Sequence, residues 1–257
     1  MNGDHAPDWP VYSEQAPKME ITHLVDKAMQ IQINGYPDMR VVFEQGAVAY
    51  WVDYDYPLGA ASSLNRVEVL GTKRINNEEC YEIMYVSAES GGNVNPTSYW
   101  CYVRRMDGIH WVRFTHERDG QTIMEEIDDT FPTPTTIEPG MSWRGHDTQR
   151  DAATGEVYTS RIKSAKVEAV VELRMGTCVY NCLKVVMIST NADGVGAPTL
   201  VEKYIDGSGL TVLRRKYMGE DNIGGREQLR QSPFIKRNDM RYYLWYDGVT
   251  LSLEGNK

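Results

Sequence analysis

Alternation between apolar and polar residues, with a period close to two, dominates the chain from Met39 onward. In the segment Ala47–Tyr56, for example, Val48, Tyr50 and Val52 fall on one face. Successive side chains of a strand point to opposite faces, so this pattern predicts β-structure. Outside that segment, it predicts the strands Arg40–Phe43, Arg66–Leu70, Cys80–Ser87, Tyr99–Arg105, Ile109–Glu117, Thr122–Asp128, Met141–Arg144, Val157–Lys163, Lys166–Leu173, Cys182–Thr190, Thr199–Ile205, Leu210–Tyr217, Gln228–Ser232, Arg241–Tyr246 and Thr250–Leu253.

One segment has a different period. In Lys18–Gln30, the residues Met19, Leu24, Val25 and Ala28 fall near helical spacing. We therefore predict a short N-terminal helix, preceded by an extended arm with several prolines.

The strand plan occurs twice along the chain. Val67-Glu68 corresponds to Val167-Glu168, Cys80 corresponds to Cys182, and Trp143 repeats the position of Trp51. We predict an all-β fold in which a duplicated antiparallel meander forms a curved sheet or barrel-like body. The predicted parts are an N-terminal arm and helix (1–38), a first repeat (39–131), a second repeat (136–218) and a C-terminal loop with a closing hairpin (219–257), all in one continuous unit.

The dipeptide Asp119-Gly120 is the strongest turn signal, because it supplies the positive φ angles that a type I′ hairpin turn requires. It predicts a register in which Phe114 faces Glu125 and His110 faces Asp129. A slip of one residue would exchange the two faces of both strands.

The second repeat also carries short motifs of a known kind. They are Glu138-Pro139-Gly140-Met141-Ser142-Trp143, Val167-Glu168-Ala169-Val170, Gly176-Thr177-Cys178, Cys182-Leu183-Lys184-Val185, Glu202-Lys203-Tyr204 and Gly207-Ser208-Gly209-Leu210. With them the chain resembles uncharacterised bacterial β-rich proteins akin to the LolA/LppX-type lipoprotein-carrier fold, mainly over residues 136–218. The resemblance implies a curved antiparallel sheet that holds a lipid against a helical lid.

Composition narrows the range of partners. The chain of 257 residues has a net charge of -9 and 41 % hydrophobic residues, which supports a real core and argues against nucleic acid or an anionic membrane surface. No apolar run reaches the length of a membrane span. No signal peptide is visible at the start of the sequence, so a cytoplasmic location is expected, with export after removal of a leader as the alternative.

The four cysteines fit reduced core residues. A Cys80–Cys101 or Cys178–Cys182 disulfide would form only in an exported protein. The glycine-rich loops lack the spacing of a phosphate-binding motif, so no cofactor is predicted. No metal site is predicted either, because His110 and His116 lie roughly 20 Å apart along a strand.

The candidate catalytic residues are His110, Asp129 and Glu125, which the predicted register places on one inward face. Asp129 would orient the imidazole of His110, which would act as a general acid or base, and Glu125 would assist or anchor a cationic substrate. The ordinary alternative is a solvated end of the sheet with satisfied side chains.

Aromatic and acidic residues supply candidates for ligand binding. Asp53 and Asp55 lie beside Trp51 and could bind a cation, although a solvent-facing strand edge is the simpler interpretation. The remaining candidates are aromatic, namely Trp100, Trp111, Phe114, Tyr243 and Trp245. The last two could line a pocket or the interface of a homo-oligomer.

Together these features favour the binding or carriage of a hydrophobic or amphipathic small molecule in a β-walled cavity. The alternative is a cofactor-independent lyase, isomerase, cyclase or hydrolase that uses the His/carboxylate pair. A structural interaction module is a third interpretation.

Overall fold

The structure is a computed structural model of the chain. It describes residues 14–25, 27–36, 41–55, 60–89, 92–118, 120–196, 198–218, 236–246 and 251–252. The predicted strand Gln228–Ser232 and most of the C-terminal part 219–257 lie outside the described residues.

The described residues form eighteen strands. They are β1 Met19–His23, β2 Ile31–Gln32, β3 Gly35–Tyr36, β4 Val41–Val42, β5 Val48–Asp55, β6 Ala61–Ile75, β7 Glu78–Glu89, β8 Ser98–Arg105, β9 Gly108–Arg118, β10 Gln121–Asp129, β11 Thr136–Ile137, β12 Ser142–Asp151, β13 Val157–Met175, β14 Cys178–Asn191, β15 Thr199–Asp206, β16 Thr211–Met218, β17 Lys236–Tyr246 and β18 Leu251–Ser252. The prediction of an all-β chain is confirmed over this part of the sequence.

Most strands belong to one large antiparallel sheet. Its order is β1-β13-β12-β10-β9-β8-β7-β6-β5-β17-β16-β15-β14, with an additional pairing of β13 with β14. Strands β5–β9 form the first meander, and strands β12–β16 form the second. Strand β10 connects the first meander to β12, and β17 connects the second meander to β5.

Irregularities in the ladders occur at the same places in both meanders. The register shifts between the first and second strands, between the second and third, and between the fourth and fifth. In the last of these, the extra residue is Val112 in β9 and Val212 in β16. Such a β-bulge leaves one residue unpaired and changes which side chains share a face.

The predicted helix at Lys18–Gln30 is wrong. Residues 19–23 form β1, which pairs with β13 along Met19↔Met175 to His23↔Val171, and no helix occurs in the described residues 14–25 and 27–36. Met19 and Ile21 alternate with exposed neighbours and pack against a core cluster. Met19 and Ile21 are partly buried together when this segment pairs with the edge of β13 as a strand, and this gain outweighs the weak preference for a helix that the spacing indicated.

Short strands fill the space on the inner side of the sheet. Ile31, Ile33, Val41 and Ile137 are almost fully buried and belong to the same core cluster as Val67 and Val167 of the two meanders. The cavity left beside Ile33 and Ile137 has a volume of only ≈ 30 Å³, far below the roughly 300 Å³ of an ordinary ligand pocket.

The predicted hairpin register is confirmed from Arg118↔Gln121 to Arg113↔Glu126, which includes Phe114 facing Glu125. The two strands predicted at Val157–Lys163 and Lys166–Leu173 are one continuous strand, β13.

Candidate functional site

A continuous series of rings crosses the first meander on its inner face. We call it the aromatic row, and its members are Trp51, Tyr85, Trp100, Trp111, Phe114 and His116. The ring centroids lie 5.7 Å apart for Trp51 and Tyr85, and 6.2 Å apart for Tyr85 and Trp100. They lie 5.1 Å apart for Trp100 and Trp111, 6.0 Å for Trp111 and Phe114, and 4.7 Å for Phe114 and His116. These separations are those of favourable aromatic pairs.

The bulge at Val112 creates the middle of the row. Trp100 pairs with Phe114 and Tyr102 pairs with Trp111, so the rings of Trp111 and Phe114 share a face although they are three residues apart. Regular alternation would place them on opposite faces. Three of the predicted ligand-binding residues, Trp100, Trp111 and Phe114, therefore come together, and Trp51 ends the row as a buried ring that is 1 % exposed.

At the Trp51 end of the row, a buried amide joins three polar side chains. Asn65 is 0 % exposed. Its Nδ2 donates to Asp53 Oδ2 at 3.0 Å and to Ser63 Oγ at 3.1 Å, and its Oδ1 accepts from the Tyr85 hydroxyl at 2.7 Å. Asp53, a predicted ligand-binding residue, is thus held within the sheet rather than at a solvent-facing edge.

At the other end of the row, an imidazole meets a carboxylate. His116 Nε2 lies 3.0 Å from Glu125 Oε1, and the His116 ring stacks on Phe114. Glu125 is only 8 % exposed and His116 is half-buried. Glu125, predicted as an acid/base group or an anchor for a cation, therefore lies beside the rings and partly shielded from water.

His110 lies apart from this pair. Its Nδ1 is 2.8 Å from the backbone oxygen of Asp129, and its Nε2 is 2.8 Å from Asp107 Oδ1. Both ring nitrogens therefore face acceptor oxygens, and the carboxylate that holds the imidazole is that of Asp107, not Asp129. The hydrogen bond from His110 also lowers the pKa of the Asp107 carboxyl.

The Asp129 carboxylate holds the backbone instead. It accepts hydrogen bonds from the Trp111 and Phe131 backbone N–H groups, each at 2.9 Å. Burial raises the pKa of Asp129, and these two hydrogen bonds oppose that rise. The predicted partner of the Asp129 carboxylate, the imidazole of His110, is thus replaced by two backbone N–H groups.

A second buried carboxylate escaped the sequence-based prediction. Asp147 in β12 is 0 % exposed, and its Oδ1 lies 3.1 Å from Lys163 Nζ. Lys163 also lies 5.9 Å from the centre of the Phe131 ring. Asp147 lies in the run His146–Arg150, in which every side chain is polar. The sequence therefore gives no alternation that would show which face of this strand is buried.

Three predicted ligand-binding residues have no described side chain. Asp55 ends β5, and Tyr243 and Trp245 lie in β17. In the β5–β17 ladder, Tyr243 pairs with Trp51, and Trp245 pairs with Ser252 of β18. Their part in binding stays a prediction.

The four cysteines are free thiols. Cys101 is fully buried, and burial raises its pKa to about 11. A thiol in that state is a poor nucleophile.

Within the described ranges, no three His, Cys, Asp or Glu side chains are grouped so as to hold a metal ion. The described part of the chain also contains no helix of the length and apolarity that a bilayer span requires.

No protein-family model and no curated protein matches the chain. Two solved structures are similar to it. One is a candidate lipoprotein from Parabacteroides distasonis, with 8 % identity and a TM-score of 0.41 over 79 % of this chain and 97 % of that chain. The other is a candidate exported protein with a YmcC-like fold from Bacteroides fragilis, with 10 % identity and a TM-score of 0.41 over 84 % of this chain and 98 % of that chain.

These similarities leave the LolA/LppX-type resemblance unconfirmed. The descriptions of the two proteins, as a lipoprotein and as an exported protein, contradict the expected cytoplasmic location.

Proposed function

We propose that the protein binds an amphipathic small molecule against the aromatic row. The apolar body of the ligand lies on Trp100, Trp111 and Phe114, and its polar or cationic group lies at Glu125. The observation that carries this proposal is the series of half-buried rings, in stacked and edge-to-face contact, that ends at the His116–Glu125 pair.

The chemistry of the row supports this choice of ligand. Aromatic rings supply a large apolar contact area and attract cations to their faces. Glu125 places a carboxylate beside the last two rings, where partial burial reduces screening by water. A cationic or neutral amphipathic molecule is therefore favoured over an anionic one, in agreement with the net charge of -9.

We also propose that the two meanders together form a duplicated, barrel-like body. The additional β13–β14 pairing and the repeated order of strands and register shifts support it. Because Ile31, Ile33 and Ile137 occupy the inner core, the ligand lies on the row rather than deep among these residues.

The enzyme alternative has less support. Both nitrogens of His110 are engaged by oxygens of the chain, and the Asp129 carboxylate is engaged by two backbone N–H groups. A substrate whose turnover is lost in His110→Ala, with its binding retained, would favour this alternative.

The test uses the indole N–H signals of the ¹⁵N-labelled protein in NMR titrations. Phenethylammonium, phenethyl alcohol and 3-phenylpropionate serve as cationic, neutral and anionic probes with similar bodies. We expect the signals of Trp100 and Trp111 to shift, most with phenethylammonium and least with 3-phenylpropionate. Glu125→Gln should weaken phenethylammonium binding by about tenfold and leave phenethyl alcohol binding unchanged.

The matched control is Glu117→Gln, which changes an exposed carboxylate of the same hairpin that contacts no ring of the row. Trp100→Ala should abolish the response of Trp111 to all three probes. Shifts confined to Trp143, or equal affinity of Trp100→Ala and the wild type, would refute binding at the row.

A further inference from the structure

A second cavity lies on the opposite face of the first meander. Its volume is ≈ 240 Å³, and its apolar lining includes the buried Ile75 and Cys80 and the partly buried Val112. Cys101 belongs to the same core cluster and alternates along β8 with Trp100, whose ring belongs to the aromatic row. The two sites are therefore separated by the thickness of the sheet.

Most charged groups at the edge of this cavity neutralise each other. Arg105 donates two hydrogen bonds to Glu78, at 2.8 and 2.7 Å, in the two-pronged geometry that guanidinium and carboxylate groups favour. Glu126 Oε1 lies 3.5 Å from Arg113 Nη2. Neither acidic side chain is left to attract a cationic ligand by itself.

Two groups of opposite charge remain at the edge. The side chain of Arg150 makes no hydrogen bond or ion pair with any described residue. Among the described residues, the carboxylate of Asp128 forms a single ion pair, a long one, with 4.0 Å between Asp128 Oδ2 and His146 Nε2. In the β10–β12 ladder, Arg150 pairs with Glu126 and Asp128 pairs with Thr148, so Arg150 and Asp128 are diagonal neighbours on one face. Diagonal neighbours lie about 7–8 Å apart, close enough to contact one small molecule together.

We propose that this cavity binds a small zwitterion of the amino-acid class that has an apolar side chain. The carboxylate of the ligand contacts Arg150, its ammonium group contacts Asp128, and its side chain packs against Ile75 and Val112. A zwitterion satisfies both open charges without adding net charge to a chain that already carries -9.

Binding at this cavity is reversible and involves no thiol chemistry. Cys80 is fully buried, its Sγ lies 3.6 Å from the Glu78 backbone oxygen, and burial raises its pKa. The protonated thiol contributes apolar surface to the lining.

The test compares three probes that share one apolar body. They are leucine, 4-methylpentanoate, which lacks the ammonium group, and isopentylammonium, which lacks the carboxylate. With ¹³C-methyl-labelled Ile and Val, we expect leucine to shift the signals of Ile75 and Val112 and to bind about tenfold more tightly than either analogue.

Matched variants assign the charges. Arg150→Gln should reduce the affinity for leucine and 4-methylpentanoate by about tenfold and leave isopentylammonium unchanged, and Asp128→Asn should do the reverse. The controls Arg144→Gln and Glu156→Gln, which change exposed charges outside the cavity, should have no effect.

Trp100→Ala removes a ring on the other face and should leave leucine binding intact, so this proposal can fail or succeed independently of the aromatic row. Equal affinity for the three probes, insensitivity to Arg150→Gln, or shifts that bypass Ile75 and Val112 would overturn it.

Discussion

The two meanders carry related residues at matching positions of their ladders. The residues that pair with them on the neighbouring strands differ. Val67 and Val167 are both fully buried. Trp51 pairs with Asn65 in the first meander, and Trp143 pairs with Ala165 in the second.

The difference appears one strand further on. Val67 pairs with Tyr85, whereas Val167 pairs with Val185. In the second meander, Val185 and Ala165 are small, buried and apolar. In the first, Tyr85 donates a hydrogen bond to Asn65, and its ring stacks on Trp51 at the end of the aromatic row.

The second meander therefore shows that this position requires only a small apolar contact. The polar network of Asn65 and the rings beyond Tyr85 exceed what the fold demands, and buried polar groups are costly unless they are satisfied. This excess is the reason to look for binding in the first meander.

The largest effect is expected at the second meander's own charged pair. Lys163→Met leaves Asp147 buried without its cation and should lower the free energy of unfolding by about 3–5 kcal/mol, measured by urea denaturation. Ser63, opposite Asp53, occupies the matching place in the first meander, and Ser63→Ala should cost far less. A loss no greater than that of the exposed control Lys166→Met would contradict a buried pair.

Substitutions that make the first meander resemble the second should have an intermediate effect on the free energy of unfolding. Asn65→Ala removes one hydrogen bond from the Tyr85 hydroxyl and one from the Asp53 carboxylate. It should lower the free energy of unfolding by about 2 kcal/mol. Adding Tyr85→Phe removes the hydroxyl as well, so the double variant should be more stable than the sum of the single effects predicts. Simple additivity in the thermodynamic cycle would show that the hydrogen bond between these residues contributes nothing.

The smallest effect concerns the pH dependence at Asp129. Burial raises the pKa of this carboxyl in the folded state, so the folded protein binds the proton more tightly than the unfolded chain does. The stability of the wild type relative to Asp129→Asn should therefore decrease as pH rises from about 3.9, the pKa of an unperturbed Asp, to neutrality. Unfolding free energies of both proteins across this range measure it, and a relative stability that increases with pH would exclude the assignment.

Local signals predicted much of the architecture. Alternation identified most strands, and Asp119-Gly120 gave the pairing of Phe114 with Glu125, because a two-residue turn determines the register that follows it. The N-terminal strand was missed because Met19 and Ile21 also fit helical spacing loosely, and only the free edge of β13 selects between the two conformations.

The site was only partly accessible from the sequence. Trp100, Trp111 and Phe114 were chosen for their chemistry, but the sequence alone placed Trp111 on the face opposite Phe114, since a bulge has no reliable signal in a run of Val and Arg. The partner of His110 was missed for a related reason. The prediction extended the β9–β10 register as far as His110, but this ladder ends at Arg113. The carboxylate that contacts His110 belongs to Asp107, three residues earlier in the preceding turn.

In genetic terms, the bulge at Val112 makes the face of β9 tolerant of a change in the number of its codons. Removal of the Val112 codon would leave Trp111 and Phe114 two residues apart, so regular alternation without a bulge would again place both rings on one face. The same irregularity at Val212 shows that the second meander has the same insertion without the rings. A strand built on this plan can thus lose one codon and keep the chemistry of its face, a change that comparisons of substitutions alone would overlook.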